Sequence, residues 1–540
     1  MFLEAKRYAG FSCMRNIDVI RTWLVRGAFV LLAFGLIWLA WNDPDERTWS
    51  LWKNTFYLAV GTAILAVPAG VVAAIVIHRT DAWGRNAAWF ALIALLFVPL
   101  YLQAAGWDAW FGRQTWLWQT SHAHANRLLA AIWIHAVAAV PWVAMIVGAA
   151  LMQVTPELEE SACLDMPVTE VLFRVTLPLC WPAILLSCWW VFIMTTAEMT
   201  VTDLYQVRTY AEEVYTTIPL LEVGTIGELA IATAPRATWV MVGWVSLSLF
   251  LIGSVARHDF PLAGRARLRL GLGPWRILAT LAILTITLTI TAVPLINLCC
   301  DAGSYVEQLS PLAPRRWSAG KFIELLSQSP WRFRREFAWT AIIGASAATV
   351  AMVFAIPLAW MARRKSLGAA LTLLTTTLVA TIPGPILALM MISWLNREDS
   401  AFCVWLYDRT ILLPVLAGAV RALPVAVTVT WWGIRTVPTE LADMALLDGL
   451  NFFGRIRHIV WPSRRELLIA AWCAAFAFAA GDLAATLLVT PPGVSTLSIR
   501  VFGLLHAGVD DQVAAICLVN VVVCIVLAMI AKQFFQTTED

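Results

Sequence analysis

The sequence predicts an all-α polytopic membrane protein of about twelve transmembrane helices, built as two parallel six-helix repeats. Three observations carry this. Hydrophobic residues make up 60% of the 540 and charged residues 14%, where soluble domains carry about 25% charged. Charge-free windows of about 20 residues recur, the length that crosses a bilayer as a helix, whereas a membrane β-barrel would alternate over about ten. Finally, two similar polar stretches interrupt the apolar pattern, EESACLDMPVTEVLFRVTLPLCWP at 159–182 and ELADMALLDGLNFFGRIRHIVWP at 440–462.

Apolar helices are expected near 27–42, 55–78, 87–106, 128–152, 183–200 and 238–254, then near 277–298, 337–361, 367–394, 410–434, 467–485 and 513–532. Lys6, Arg7, Arg15, Arg21 and Arg26 precede the first, which lacks a small-residue cleavage site and reads as a retained anchor. Lys and Arg favour the cytoplasmic side. The cluster Arg257, Arg265, Arg267, Arg269 and Arg276 and the run Arg363-Arg364-Lys365 place both polar stretches and both termini there. The long segment 299–336 then faces outward, with Arg332, Arg334 and Arg335 interleaved with Trp331 and Phe333 as an interfacial start to the next span.

Aligning Asp165 with Asp448 lays ACLDM on ALLDG. Pro178 then answers Pro462, with the first copy one residue shorter. Twenty residues beyond each proline stands an acid, Glu198 or Asp482. The chain therefore divides into a first half at 1–255, a basic cytoplasmic linker at 256–276 and a second half at 277–540.

In each polar stretch a short acidic helix, favoured by the helix dipole at its start, leads into a second with one apolar face. Val168, Val171, Leu172 and Val175 form that face in one copy, and Phe452, Ile456, Ile459 and Val460 in the other. Small residues, Ala162 and Ala445, allow close approach. Joined spans need no such element; two alike suit a partner with two equivalent sockets.

ESACLDM followed by VTLP, and DMALLDG followed by IVWP, resemble the EAA coupling loop of ABC-importer permeases, E-A-A-x-x-x-G with a later I-x-L-P. Two copies in one chain are similar to the fused, twelve-span permeases of the ferric-iron type. EMTVTDLYQVRTYAEEVYT at 198–216 and GDLAATLLVTPPGVSTLSIRVFGLLHAG at 481–508 strengthen that likeness. The resemblance implies coupling through Glu160, Ala162, Asp165, Met166 and Pro178 in one half and Asp443, Ala445, Asp448, Gly449 and Pro462 in the other. It implies a cytoplasmic ABC ATPase dimer on those loops, a periplasmic solute-binding protein outside, and a bacterial inner-membrane location. ATP would be bound by the partner subunit: the chain has no G-x-x-x-x-G-K-[ST], so it is expected to be neither an ATPase nor a cofactor binder. Thiamine or another organic cation remains an alternative cargo. Met166 replaces the motif's glycine and Asp443 its glutamate, so the two sockets are expected to be engaged unequally.

A twenty-residue helix spans about 30 Å, which puts Glu198 and Asp482 near the outer end of the fifth spans. They either flank the solute pathway, as oxygen ligands suited to a hard cation, or cap helices and pair with Arg208 and Arg500. Asp203, Tyr205, Glu212 and Glu213 read as a solvated outer loop. No His or Cys spacing suggests a metal site, WDAWFGRQTWLW at 107–118 reads as an aromatic belt, and the net charge of +3 gives no footing for nucleic acid. An ion-coupled secondary transporter would need deep charged groups rather than matched loops; a membrane enzyme would need a cluster of reactive side chains.

Overall fold

The computed structural model describes residues 46–111, 123–154, 156–217, 269, 271–306, 315–363, 367–395, 400–435 and 437–536. The expected spans 27–42 and 238–254 lie outside these residues, as does most of the linker 256–276.

In the first half the order is α1 (Glu46–Arg79), α2 (Arg85–Leu96), α3 (Leu100–Phe111), α4 (Ala123–Leu151), α5 (Pro156–Cys163), α6 (Val168–Val171), α7 (Leu177–Thr196), α8 (Thr200–Leu204) and α9 (Tyr210–Thr217). The second half opens with α10 (Arg276–Gly303) and a hairpin of β1 (Ser304–Val306) with β2 (Arg315–Trp317). It continues with α11 (Ala319–Arg332), α12 (Arg334–Met361), α13 (Leu367–Thr381), α14 (Gly384–Leu395), α15 (Ala401–Arg409), α16 (Leu412–Arg435), α17 (Thr439–Leu447) and α18 (Phe452–Arg455). It closes with α19 (Trp461–Gly481), α20 (Thr486–Val489), α21 (Leu497–His506) and α22 (Asp510–Gln536). Among the described residues seven helices are long and apolar enough to cross a membrane, or up to nine if each sharply bent pair is one span.

The bent pairs correct the sequence reading. Single spans are expected at 87–106 and 367–394; there the chain instead forms two helices each, α2 and α3 meeting at 107° and α13 and α14 at 98°. Pro99 and Pro383 stand at the breaks. A proline pushes the preceding residue out of the helical region and removes a donor, so the helix ends there. The fifth spans differ as well. Expected at 183–200, the first runs unbroken from Val168 to Thr196. Its second short amphipathic helix is thus the start of the span rather than a separate piece. A wide i→i+5 turn over Leu172–Thr176 joins α6 to α7, and one over Ile456–Val460 joins α18 to α19. Each falls just before a proline, Pro178 or Pro462.

Small residues set the packing, as they do where helices lack a hydrophobic drive to associate in lipid. A Cβ on Gly61 would sit 2.7 Å from the Ile132 side chain, and one on Gly70 2.5 Å from that of Val143, so side chains of α4 seat directly on the α1 backbone. In the second half Ala347, Ala348, Ala351, Ala355 and Ala359 of α12 are all buried in a core shared with α16 and α19. A third core joins the halves: Tyr101, Leu102 and Ala105 of α3 pack with Leu298 and Ala302 of α10, Val501 of α21 and Val513 and Cys517 of α22. This core holds α3, whose first residues line the site described below.

Candidate functional site

Two features recur in both halves: a polar loop and, beside a cavity, an acid that faces a basic side chain. In the first loop α5 ends with Met166 N donating to Ala162 O over 3.1 Å, and Pro167 then runs extended at φ −65°, ψ 149°. In the second, Leu450 N donates five residues back to Ala445 O, and Gly449 takes φ +73°. A left-handed residue after a helix suits glycine, because a Cβ there is strained. Met166 takes no such angle, so the two loops turn by different means. Glu160, Asp165, Pro178, Asp443, Asp448, Gly449 and Pro462 are exposed, Ala162 and Met166 half-buried, and Ala445 buried.

The sequence reading missed three aspects of these loops. Leu164 and its counterpart Leu447 stand 87% and 88% exposed, apolar tips on polar loops. Glu159, not Glu160, is the buried acid: Arg79 Nη1 donates to its Oε2 over 2.8 Å and Thr176 Oγ1 to its Oε1 over 2.6 Å. Arg79 also donates to Leu151 O, and Arg363, at the end of α12, donates to Val437 O and Pro438 O. A basic residue closing each second span was the available signal, read only as topology.

The cavity, of roughly 180 Å³, lies at the bend between α2 and α3 and is lined by His135, Trp142, Glu198, Arg421, Phe478 and Asp482 among others. Glu198 follows α7, and its carboxylate accepts from Thr200 N at 2.6 Å and Val201 N at 3.1 Å, opening α8. His135 of α4 faces it, Nε2 to Oε2 3.3 Å. Asp482 follows α19 and accepts from Ala485 N and Thr486 N, opening α20. Arg421 of α16 donates from Nε to its Oδ1 over 3.3 Å and from Nη1 to Ile382 O. Both acids therefore line the cavity, accept from the backbone that opens the next helix and face a basic side chain from the fourth span. The expected partners are elsewhere: Arg208 pairs with Glu212 and Glu213, and the Arg500 guanidinium lies 5.5 Å over the Phe333 ring. Arg421, the lone charge within Leu412–Gly433, and His135 in the matching span were the signal, because a charge at membrane depth needs a partner. Among the described residues no group of three or more His, Cys, Asp or Glu side chains is placed to hold a metal ion.

Beyond the acids, α9 is held against α1. Arg47 pairs with Glu213, and Asn54 Nδ2 donates to Arg208 O. Glu212 is buried there, and burial pushes its carboxyl up to about 7 against the opposing pull of Arg208.

Residues 351–538 match the family described as binding-protein-dependent transport system inner membrane component. The putative 2-aminoethylphosphonate transport system permease protein PhnV of Salmonella paratyphi A is 28% identical over 108 residues, 19% of this chain and 41% of that protein. The protein of the same name in Salmonella typhimurium matches equally, and that of Salmonella choleraesuis is 27% identical over 97 residues, 18% of this chain and 37% of its own. The chain thus spans about two fifths of the length of the curated relatives it matches. No solved structure gives a significant match.

Proposed function

We propose that this chain is the transmembrane permease of an ATP-driven, binding-protein-dependent importer, with two halves joined through the linker 256–276. One observation carries the reading: the two polar loops are built alike, each presents an exposed leucine tip, and each continues through a wide turn into a fifth span. A large apolar side chain at the tip of a polar loop calls for a partner. Two equivalent tips suit a symmetric dimer, here a pair of cytoplasmic ATPase subunits that bind the ATP. The match over 351–538 supports the same role. In this reading the loops and both termini face the cytoplasm and α9 and β1–β2 face the periplasm, where a solute-binding protein delivers cargo to the cavity beside Glu198 and Asp482. Replacing Ala162 and Ala445 by Asp is expected to abolish binding of the cognate ATPase to the detergent-purified chain; retained binding in the double variant would sink the assignment.

Ferric iron is the cargo that the resemblance of the 198–216 and 481–508 segments suggests. A small zwitterion of the 2-aminoethylphosphonate type is the second reading, favoured by the names of the relatives and by the cavity, where each carboxylate already faces a basic side chain of this chain. ATP-dependent uptake of radiolabelled ferric ion into vesicles holding the full complex, with unlabelled 2-aminoethylphosphonate and thiamine as competitors, separates them. Uptake blocked only by excess ferric ion selects iron. No iron uptake, with uptake of the labelled phosphonate, selects the zwitterion.

A further inference from the structure

Glu159 is 1% exposed and Arg79 3%. Their carboxylate and guanidinium tie together four elements: α5 through Glu159, the end of α1 through Arg79, the end of α4 through Leu151 O, and the wide turn before α7 through Thr176. A buried charge stripped of its partner is costly, so these contacts are kept together or lost together. The second half keeps only part of the plan. Ala442 stands where the alignment puts Glu159, and Val460 where it puts Thr176. The nearby acids, Glu440 and Asp443, are exposed. There the chain also turns at Gly449, with φ +73° and open space around its Cα, and α19 breaks its helical angles at Arg464.

From this we infer that Glu159 is a positioning residue that makes the first loop move as one body with α1, α4 and α7, while the second loop pivots against α19. The two loops then transmit closure of the ATPase unequally. The inference rests on the permease reading, and its mechanism is a difference in fastening rather than in docking.

The test uses the full complex with its ATPase, in a background with the native cysteines replaced. Spin labels at Leu158 and Leu185 report the first loop against its span, and labels at the equivalent Leu441 and Ile469 the second; the leucine tips are left intact. On adding a non-hydrolysable ATP analogue, the first distance distribution is expected to stay narrow and unmoved, and the second to shift and broaden about twofold. The variant Glu159→Ala/Thr176→Val, which copies the residues of the second half, is expected to make the first pair behave like the second. A first pair that shifts as much as the second in the wild type overturns the inference, as does a variant that leaves it unmoved. Should the double variant not accumulate, Thr176→Val alone keeps the ion pair and is expected to broaden the first distribution part of the way; no change there overturns the inference too. Failure of the wild-type chain to bind the ATPase overturns the permease reading itself, and is scored separately from the distances.

Discussion

The two halves use one plan with different fastenings. Beside the cavity Asp482 accepts from the forked guanidinium of Arg421, whereas Glu198 faces the single ring nitrogen Nε2 of His135 across 3.3 Å. In the loops the order is reversed: the first holds a buried carboxylate between Arg79 and Thr176, and the second turns on a glycine. The Arg421 pair by the cavity and the Arg79 pair in a loop thus sit in opposite halves. On the proposed reading of two fused halves, both copies keep an acid that opens the helix after the fifth span and an exposed leucine tip, while the rest diverges.

The comparison breaks most visibly at the cavity. Arg421→Leu leaves Asp482 buried with only backbone donors, and removing one partner of a buried pair is expected to cost about 3–5 kcal/mol. The change is read as lost thermal stability in detergent. His135→Leu is expected to cost less, because that pair is made through a single ring nitrogen; an equal loss would mean that the two pairs are equivalent after all. Next come the loop turns. Gly449→Val forces a β-branched residue into the left-handed region and is expected to destabilise by about 1–2 kcal/mol. Met166→Gly, where no such angle exists, is expected to cost well under that, by the same melting measurement. Equal effects would show that both loops turn alike.

The smallest effect sharpens the outer ends. Glu212 has its carboxyl raised to about 7 from an ordinary value near 4.5. A raised acid favours folding while protonated, so the stability it lends is present below about pH 4.5 and lost as pH rises through 7. Thr496 stands at the equivalent place in the second half and does not titrate. Amide exchange in 200–217 is therefore expected to quicken between pH 5 and pH 8 more than exchange in 486–506. Parallel behaviour of the two segments would refute the assignment to Glu212.

Most of the helical frame was legible because apolar length and charge spacing are local properties. How sharply the chain breaks at Pro99 and Pro383 was not, since both prolines sit inside runs apolar enough to read as one span. The acids Glu198 and Asp482 were found from the repeat alone. Their partners were not: pairing requires knowing which faces of α4 and α7, or α16 and α19, meet, and that is set by helix packing. Glu159 was passed over for its neighbour Glu160 for the same reason, since adjacent residues on a helix point about 100° apart and only the fold says which is inside.

The wide turns at Leu172–Thr176 and Ile456–Val460 have a consequence of phase. Each acts as one extra residue in an otherwise regular helix, advancing everything on its far side by about 100° about the axis. The loop and the span therefore obey different angular registers, joined at a fixed offset. No substitution within the turn reproduces that offset, but deleting Val175 would remove it. Such a chain would lose one valine, the first letter of VTLP, and keep its apolar pattern, yet swing Glu159 and Leu164 by about 100° against α7. In this protein the reading frame of a helix is part of the machinery.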